Sequence, residues 1–338
     1  MGNSSKSKSR TFQETLEQYK KERIIPEKTL AIVQDFFDGY AQTLSGIGIP
    51  REQLDERFTI FLEHVQKQCK EPFIFQPFHA AIKTPFNYYQ FGVDFFKPLI
   101  DVKHSTIHGK ETLHTIMSSL RRGENAIFLA NHQSEADPQA MSVLLDEEFP
   151  QFAEQLIFVA GERVITDPLA VPLSMGRNLL CIYSKRYIDF PPELKVKKQH
   201  HNRRTMELMS ELLSEGGKAI YVAPSGGRDR ANPQGIFEVA PFDAQSIEMF
   251  SLMAERAASR TFFYPLALKT HALLPPPETI QVELGEWRKA SRSALALAFG
   301  PQIDMDRFPG YETKDKRQRR EARAQYIWSL VKKLYRGL

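Results

Sequence analysis

The spacing of apolar residues divides the chain into two regions. In residues 11–70 apolar side chains recur at i, i+3, i+4 and i+7, which is the period of an amphipathic α-helix. Pro26 and Pro50 interrupt this pattern and separate the helices. We therefore predict a small N-terminal helical bundle over residues 11–84, preceded by a disordered tail rich in Ser and Lys over residues 1–10.

After about residue 103, short apolar runs alternate with helical patterns, which is typical of an α/β fold. Each run is short and bounded by polar residues, so we interpret the runs as buried strands. We assign residues 85–338 to a large α/β domain. Its predicted strands are residues 126–130, 156–160, 179–183, 219–223 and 261–268, and its predicted helices include residues 111–120, 197–213 and a last helix with an apolar face at 327–334.

Residues 72–100 are rich in aromatic side chains. Such a stretch suits either a membrane-facing surface or a buried core, and we favour the core because aromatic residues at this spacing usually pack inside. No apolar run approaches the roughly 20 residues that a membrane-spanning helix needs. The tail lacks the apolar segment of a secretory signal and is shorter than an ordinary transit peptide.

Composition narrows the class of protein. An apolar content of 42% and a charged content of 25% are ordinary for a soluble globular chain. Its two cysteines, Cys69 and Cys181, form no disulfide framework, which fits a reducing compartment. The net charge is only +4, but the basic residues are clustered, so an anionic partner is expected.

The first candidate for chemistry is the segment of residues 131–138, Asn-His-Gln-Ser-Glu-Ala-Asp-Pro, which follows the predicted strand 126–130. On a straight helix, side chains five residues apart diverge, so His132 and Asp137 meet only if the chain turns between them. A turned pair places the carboxylate beside one ring nitrogen and leaves the other nitrogen as a base. We predict that Asp137 is a helix N-cap and Pro138 the first helical residue; a simple capping role for this segment is the alternative.

The second candidate is the segment of residues 224–230, Pro-Ser-Gly-Gly-Arg-Asp-Arg, which follows another predicted strand. Its glycine pair allows the backbone to approach an anion, and the forks of Arg228 and Arg230 match phosphate oxygens. Lys185 and Arg186, at a third strand end, are positioned to join them, because ligands of open α/β sheets bind at the carboxyl ends of strands. The alternative is a surface turn whose arginines pair with Asp229 or with solvent.

Taken together, the two segments predict a site for a phosphorylated substrate. The histidine would deprotonate a hydroxyl group, while the arginines hold the phosphate and so position that hydroxyl.

Both segments closely resemble the soluble, plastid-type (and chlamydial-type) glycerol-3-phosphate acyltransferases, members of the His-x4-Asp acyltransferase superfamily. The resemblance extends to residues 85–89, 159–168, 174–185 and 240–244 and covers most of the chain. It implies a large α/β acyltransferase domain, with a mixed β-sheet flanked by helices, joined to a small N-terminal helical bundle. It also implies transfer of a fatty acyl group to the sn-1 hydroxyl of glycerol 3-phosphate, which gives lysophosphatidic acid.

The resemblance further assigns roles to residues. It implies that His132 and Asp137 are the catalytic pair and that Arg228 and Arg230 bind the phosphate. Where plant members typically carry Lys-His in the phosphate cluster, this chain has Arg186-Tyr187. We expect Arg186 to bind phosphate, assisted by Lys185 and Tyr187.

Smaller roles remain open in the sequence. Glu135 is expected either to contact the glycerol hydroxyls or to stabilise the helix start. Backbone donors near Gly226 and Gly227, or the hydroxyl of Ser225, are candidates to stabilise the oxyanion.

The acyl donor implied by the resemblance is acyl carrier protein, less often coenzyme A. Because acyl carrier protein is acidic, we expect it to dock on the densest basic stretch; a solvated face is the alternative. That stretch contains Lys195, Lys197, Lys198, Arg203 and Arg204. We expect a monomer without cofactor, metal or nucleic-acid partner, with peripheral membrane contact for product release, located in a bacterial cytoplasm or, as a mature form, in the plastid stroma.

Three rival functions remain. A lysophospholipid acyltransferase of the same superfamily would usually bring membrane-anchoring helices. A metal-dependent phosphohydrolase would use His132, Glu135 and Asp137 as ligands, but it would need further His or Asp ligands at strand ends that carry arginines instead. A non-enzymatic binder of anionic lipid or nucleic acid would rely on the basic runs alone.

Overall fold

The structure is a computed structural model that describes residues 10–184, 188–276 and 285–338. Apart from residue 10, the predicted tail lies outside the described residues, and so do Lys185, Arg186 and Tyr187 of the predicted phosphate cluster.

The fold is organised around one mixed sheet of eight strands. The strands of the chain are β1 (Phe78–His79), β2 (Thr106–His108), β3 (Asn125–Ala130), β4 (Ile157–Gly161), β5 (Asn178–Ile182), β6 (Ala219–Val222), β7 (Arg230–Ala231), β8 (Phe237–Glu238), β9 (Thr261–Lys269) and β10 (Ala296–Phe299). The sheet order is β1-β5-β4-β6-β3-β9-β10-β2, and β7 pairs with β8 in a separate small hairpin. The five central strands, from β5 to β9, run parallel, while β1 and β10 are antiparallel to their neighbours β5 and β9.

Helices flank the sheet. They are α1 (Phe12–Lys21), α2 (Glu27–Leu44), α3 (Arg51–Lys70), α4 (Tyr88–Phe96), α5 (Lys110–Arg121), α6 (Asp137–Leu145), α7 (Pro150–Gln155), α8 (Glu162–Thr166), α9 (Val171–Ser174), α10 (Lys195–Glu215), α11 (Ala244–Arg256) and α12 (Lys316–Arg336). Short 3₁₀ turns lie at Lys97–Leu99, Val102–His104 and Pro192–Leu194. No helix within the described residues is both long and apolar enough to cross a membrane.

An aromatic cluster joins the first four helices. The ring of Phe58 on α3 lies 5.0 Å from that of Phe37 and 5.1 Å from those of Tyr40 and Phe95. Phe95 belongs to the aromatic stretch of residues 72–100, and in that stretch the side chains of Phe75, Phe91, Phe95 and Phe96 are all buried, so the predicted core placement of these aromatic residues is confirmed. The cluster is continuous with the apolar side chains on one face of the sheet.

The mixed α/β architecture is confirmed, and each predicted strand is present with its ends shifted by one residue at most. Three strands of the sheet, β1, β2 and β10, were not predicted; β1 and β2 span only two and three residues, which are too few to show a period. Phe78–His79 lies inside the range predicted for the bundle, yet it pairs with β5 in the sheet. The division of the chain into two domains stays a prediction.

Candidate active site

His132 and Asp137 meet at the carboxyl end of β3. His132 Nδ1 lies 2.8 Å from Asp137 Oδ2, so the chain turns between the two residues, as the sequence predicts. Asp137 is an acceptor, which places the proton on Nδ1 and leaves Nε2 as the basic nitrogen. Asp137 is 1% exposed, whereas the side chain of His132 is 30% exposed, so the imidazole is partly accessible while the carboxylate that orients it is buried.

The carboxylate of Asp137 is held by three further donors. The backbone N–H groups of Gln133 and Ser134 donate to it at 2.9 and 3.1 Å, and the Thr270 hydroxyl donates at 2.6 Å. The predicted N-cap assignment is wrong by one residue, because α6 begins at Asp137 and its N-cap is Ala136. Asp137 turns back toward the preceding loop, so its oxygens bind that loop and His132 instead of the first helical N–H groups.

A buried amide network fastens this turn to the segment of residues 224–230. Asp229 is fully buried, and its carboxylate accepts hydrogen bonds from the Asn131 and Gln133 side-chain amides at 2.7 and 3.3 Å. It also accepts one from the backbone N–H of Ala240 at 2.9 Å. Burial raises the pKa of Asp229 to about 6, an effect that these three hydrogen bonds partly oppose.

Glu135 belongs to a second network, composed of charged groups. Its carboxylate accepts a hydrogen bond from Arg288 Nη2 at 3.0 Å, and Arg228 Nη1 lies 3.7 Å away. The same Arg288 nitrogen contacts Asp167 at 3.2 Å. Burial would raise the pKa of Glu135, but Arg288 and Arg228 outweigh it, so the pKa is lowered and Glu135 is ionised.

Arg228 forms an ion pair with a residue that the sequence pattern did not indicate. Its Nη2 donates to both oxygens of Glu286, at 3.0 and 2.7 Å, and Glu286 also pairs with Arg163. The alternative in which Asp229 neutralises the arginines is not what the structure shows, because Asp229 binds amides. Glu286 therefore holds the Arg228 fork in place beside Glu135.

Of the other predicted phosphate ligands, Arg230 lies within the described residues. Arg230 begins β7 and is half-buried; burial, with Arg228 nearby, lowers its pKa. Two oxyanion candidates are already committed, because the Gly226 N–H donates to the Ala223 carbonyl at 3.1 Å and the Ser225 hydroxyl donates to the Gly227 carbonyl at 2.9 Å.

The predicted docking stretch occupies the first half of α10. Lys195, Lys197, Arg203 and Arg204 are exposed, although Lys195 pairs with Asp189 and Arg204 with Glu207 and Glu211. The structure corrects the prediction that Lys198 belongs to the docking surface. It is 4% exposed, pairs with Glu162 at 2.8 Å and donates to the Phe190 carbonyl, so it is a structural ion pair and not part of a docking surface.

A largely apolar cavity opens beside His132. The empty space of the cavity, together with the open solvent at its mouth, is about 920 Å³. His132, Glu135 and Arg288 line one part of it, while Phe36 of α2 and Phe61 of α3 line another. The N-terminal helices thus contribute wall to a cavity that reaches the histidine, which is a long-range arrangement that no local pattern in the sequence indicates.

Several site residues were missed by sequence reasoning. Two pairs of residues from distant parts of the chain, Arg163 with Asp167 and Glu286 with Arg288, join the charged network. Arg163 and Asp167 fall within the stretch 159–168 that carries the family resemblance, which was the available signal. Glu286 and Arg288 follow no predicted strand, so nothing local marked them.

Comparison with known proteins identifies a matching family, related proteins and a solved structure. Residues 104–269 match the Acyltransferase family. The chain is 37% identical over 285 residues to a chloroplastic glycerol-3-phosphate acyltransferase of Cucurbita moschata, an alignment that covers 83% of this chain and 64% of that protein. It is 34% identical over 341 residues to the chloroplastic glycerol-3-phosphate acyltransferase of Arabidopsis thaliana, covering 97% and 74%. The solved 1-acyl-sn-glycerophosphate acyltransferase of Thermotoga maritima covers 97% of this chain and 95% of that one, at 16% identity and a TM-score of 0.38.

This match and the relative from Arabidopsis thaliana together place the chain among the acyltransferases. More narrowly, the chain belongs to the family of glycerol-3-phosphate acyltransferases that includes these two chloroplastic proteins, and the resemblance of its motifs to that family is confirmed. It spans 64% and 74% of the length of the two relatives named above.

Proposed function

We propose that the protein transfers a fatty acyl group from a thioester donor to the sn-1 hydroxyl of glycerol 3-phosphate, with lysophosphatidic acid as the product. One observation carries this proposal. A histidine oriented by a buried carboxylate lies where a largely apolar cavity meets a cluster of arginines. The cavity suits an acyl chain, the arginines suit a phosphate, and the base lies between them.

The proposed step is a direct transfer. His132 Nε2 removes the proton from the glycerol hydroxyl as its oxygen attacks the thioester carbonyl, the C–S bond breaks, and the proton passes to the departing thiolate. Asp137 orients the ring and stabilises the imidazolium that forms. General-base assistance of this kind contributes about 10²–10⁴-fold to the rate.

The burial of the two cysteines favours direct transfer over a mechanism in which a cysteine is first acylated. Burial raises the pKa of Cys181 to about 12, and burial, with Asp167 nearby, raises the pKa of Cys69. Since the thiolate is the nucleophile, neither side chain is suited to form an acyl-enzyme.

Phosphate recognition is assigned to Arg228 and Arg230, with Arg186, Lys185 and Tyr187 as further ligands. Glu286 keeps the Arg228 fork in a fixed orientation, which limits the entropy lost when phosphate binds. Glu135 is ionised and paired with Arg288, so we assign it mainly to holding this arginine cluster, with a contact to the glycerol hydroxyls as its second role.

The proposed donor is acyl carrier protein, with acyl coenzyme A as the less favoured donor. The exposed basic side chains of α10, Lys195, Lys197, Arg203 and Arg204, are the proposed dock for the acidic carrier. We also propose that the protein is a monomer, that it contacts the membrane peripherally for product release, and that it is located in the plastid stroma or a bacterial cytoplasm. The relatives named above are chloroplastic.

Two rival enzyme functions remain, and the structure argues against the first of them. A metal phosphohydrolase would need Glu135 and Asp137 as ligands, but Asp137 accepts four hydrogen bonds and Glu135 is paired with Arg288. A lysophospholipid acyltransferase would accept a second acyl chain beside the first.

Purified protein should be incubated with palmitoyl carrier protein and either glycerol 3-phosphate or lysophosphatidic acid, with EDTA present. Acylation of glycerol 3-phosphate supports the proposal; acylation of lysophosphatidic acid alone would refute it.

A further inference from the structure

Thr270 lies at the end of the strand next to the one that leads to the catalytic turn. β3 and β9 pair in parallel, so their carboxyl ends lie side by side, and Thr270 directly follows β9. Thr270 is fully buried, and its hydroxyl donates to Asp137 Oδ1 at 2.6 Å. The carboxylate that orients His132 is therefore also contacted from a second strand end.

The hydrogen bonds of Asp137 come from two parts of the chain. Oδ2 accepts from His132 Nδ1 and from the N–H of Gln133, and Oδ1 accepts from the N–H of Ser134. These three donors belong to the turn itself and move with it. Within the described part of the chain, the Thr270 hydroxyl is the donor that comes from outside the turn, so it fixes the carboxylate relative to the sheet.

The hydroxyl is separable from the backbone contacts that fasten β9 to the turn. The N–H of Thr270 donates to the side-chain oxygen of Gln133 at 2.8 Å, and the N–H of Leu268 donates to the side-chain oxygen of Asn131 at 2.8 Å. Both bonds use main-chain donors. A change of the Thr270 side chain leaves these donors in place, so the hydroxyl can be tested on its own.

A carboxylate that orients an imidazole acts through both its geometry and its charge. A hydrogen bond to Oδ1 opposes rotation of the carboxylate and so keeps Oδ2 against the ring of His132. The same bond stabilises the negative charge, which weakens the attraction of the carboxylate for a proton on the ring. Without the hydroxyl, we expect a less ordered ring and a stronger hold on that proton.

We propose that Thr270 is a positioning residue for acyl transfer, whose hydroxyl holds the Asp137 carboxylate in the geometry and charge balance that make His132 an effective base. The inference rests on the proposed function and adds to it a residue that acts through Asp137 without contacting the substrate. Thr270 keeps its own proton throughout, so the bonds made and broken in the transfer are unchanged.

The first test compares side chains at this position, with palmitoyl coenzyme A and glycerol 3-phosphate as substrates. Thr270→Val should lower kcat by about tenfold or more, the value of a hydrogen bond to a charged group, while the KM for glycerol 3-phosphate changes by less than about twofold. Thr270→Ser keeps the hydroxyl and should retain most activity. Thr15→Val on α1, which removes a buried hydroxyl bonded to the Thr11 carbonyl, is the matched control.

The pH profile of kcat/KM separates a positioning role from a merely structural one. In Thr270→Val the acid limb should move to higher pH, because the carboxylate holds a proton on His132 more strongly. Glu135 and the buried Asp229 also act on the charge of His132, and both are present in every variant, so a difference between profiles reports the hydroxyl. An unmoved limb, with or without a loss of kcat, would overturn the proposal.

A double variant tests whether the effect passes through the histidine. In a His132→Ala background, Thr270→Val should not lower the residual rate further, because the group that it positions is already gone. A further loss of about tenfold would show that Thr270 acts on the site by another route and would also overturn the proposal.

This proposal and the proposed function fail separately. If the wild-type protein does not transfer palmitate, the proposed function is wrong. If it does, and Thr270→Val has the kcat and the pH profile of wild type, only the role of Thr270 is wrong. Should Thr270→Val not fold, as judged by thermal unfolding, the comparison of Thr270→Ser with Thr270→Ala decides, because these two variants differ by the hydroxyl alone.

Discussion

The backbone N–H of Asp229 donates to the carbonyl oxygen of His132 across 2.6 Å. The proposed phosphate-binding segment and the proposed catalytic turn are therefore bonded directly to each other. Because Asp229 lies between Arg228 and Arg230, this contact fixes the two arginines relative to the histidine. The Asp229 carboxylate reinforces it by binding the amides of Asn131 and Gln133, the two neighbours of His132 in sequence.

Asp229→Asn should disrupt this arrangement. Each oxygen of the native carboxylate accepts a hydrogen bond, Oδ2 from Asn131 and Oδ1 from the Ala240 N–H. In either orientation, the NH₂ group of an asparagine would therefore face another donor. We expect the free energy of unfolding to fall by about 1–3 kcal/mol and kcat to fall about 10²-fold through misplacement of the turn. Steady-state kinetics and urea unfolding would measure both, with Asp315→Asn at the exposed N-cap of α12 as the control.

The pKa of Asp229 adds a pH dependence to stability. Burial raises this pKa from 3.8 to about 6, so the folded state holds the proton more tightly than the unfolded state. The contribution to stability is greatest below the unfolded value and is lost as the pH rises through about 6. Asp229→Asn should abolish that dependence, so the difference in unfolding free energy between wild type and variant must change between pH 4 and 6 and level off above. A constant difference would contradict the assignment.

His132→Ala should remove the base while leaving glycerol 3-phosphate binding and the fold largely intact. A loss of at least 10²-fold in kcat is expected from general-base catalysis alone. Asp137→Asn should lose most activity as well, because an amide neither holds the reactive tautomer nor stabilises the imidazolium. Single-turnover transfer from palmitoyl carrier protein measures both, and activity of His132→Ala within about tenfold of wild type would exclude the role.

Arg228→Ala and Arg230→Ala should chiefly raise KM for glycerol 3-phosphate, with smaller effects on the acyl donor. Losing a charge-assisted contact to phosphate costs about 1.5–3 kcal/mol. Glycerol should be a very poor acceptor, because it lacks the group that positions its hydroxyl. Saturation curves for both substrates test this, and unchanged glycerol 3-phosphate saturation in either variant would remove that arginine from the site.

Reversing charge at Lys197 and Arg203 to Glu should slow transfer from acyl carrier protein, mainly through association, and added salt should slow the wild type at subsaturating donor. Transfer from acyl coenzyme A should suffer less, because it needs a smaller surface. Lys198 is omitted since it is buried and paired with Glu162, and Lys198→Glu should instead destabilise the fold. Equal losses with both donors would place the carrier elsewhere.

Phe58→Ala should cost about 3–5 kcal/mol of unfolding free energy, because its fully buried ring packs against at least three other rings in the aromatic cluster. Ile74→Ala, at a side chain that is 79% exposed, is the matched control and should change stability by less than about 0.5 kcal/mol. Chemical denaturation of both variants checks the prediction.

Local pattern was enough for much of the molecule. The five predicted strands, the helices of the N-terminal region and the turned contact between His132 and Asp137 all follow from residues close together in sequence, because periodicity and turn chemistry act over a few residues. The family resemblance likewise rests on contiguous motifs. For the same reason β1 and β2 were not predicted, because two or three residues show no period and their pairing is decided by partners far along the chain.

The surroundings of the site were decided only by the tertiary structure. The pairing of Arg228 with Glu286, of Glu135 with Arg288 and of Lys198 with Glu162 joins residues 36 to 153 positions apart. The sequence by itself determined which chemical groups the protein carries and on which turns they stand. Folding determined which charges are neutralised and which are left for a ligand, because burial and distance, which set the energy of a charge, belong to the three-dimensional structure.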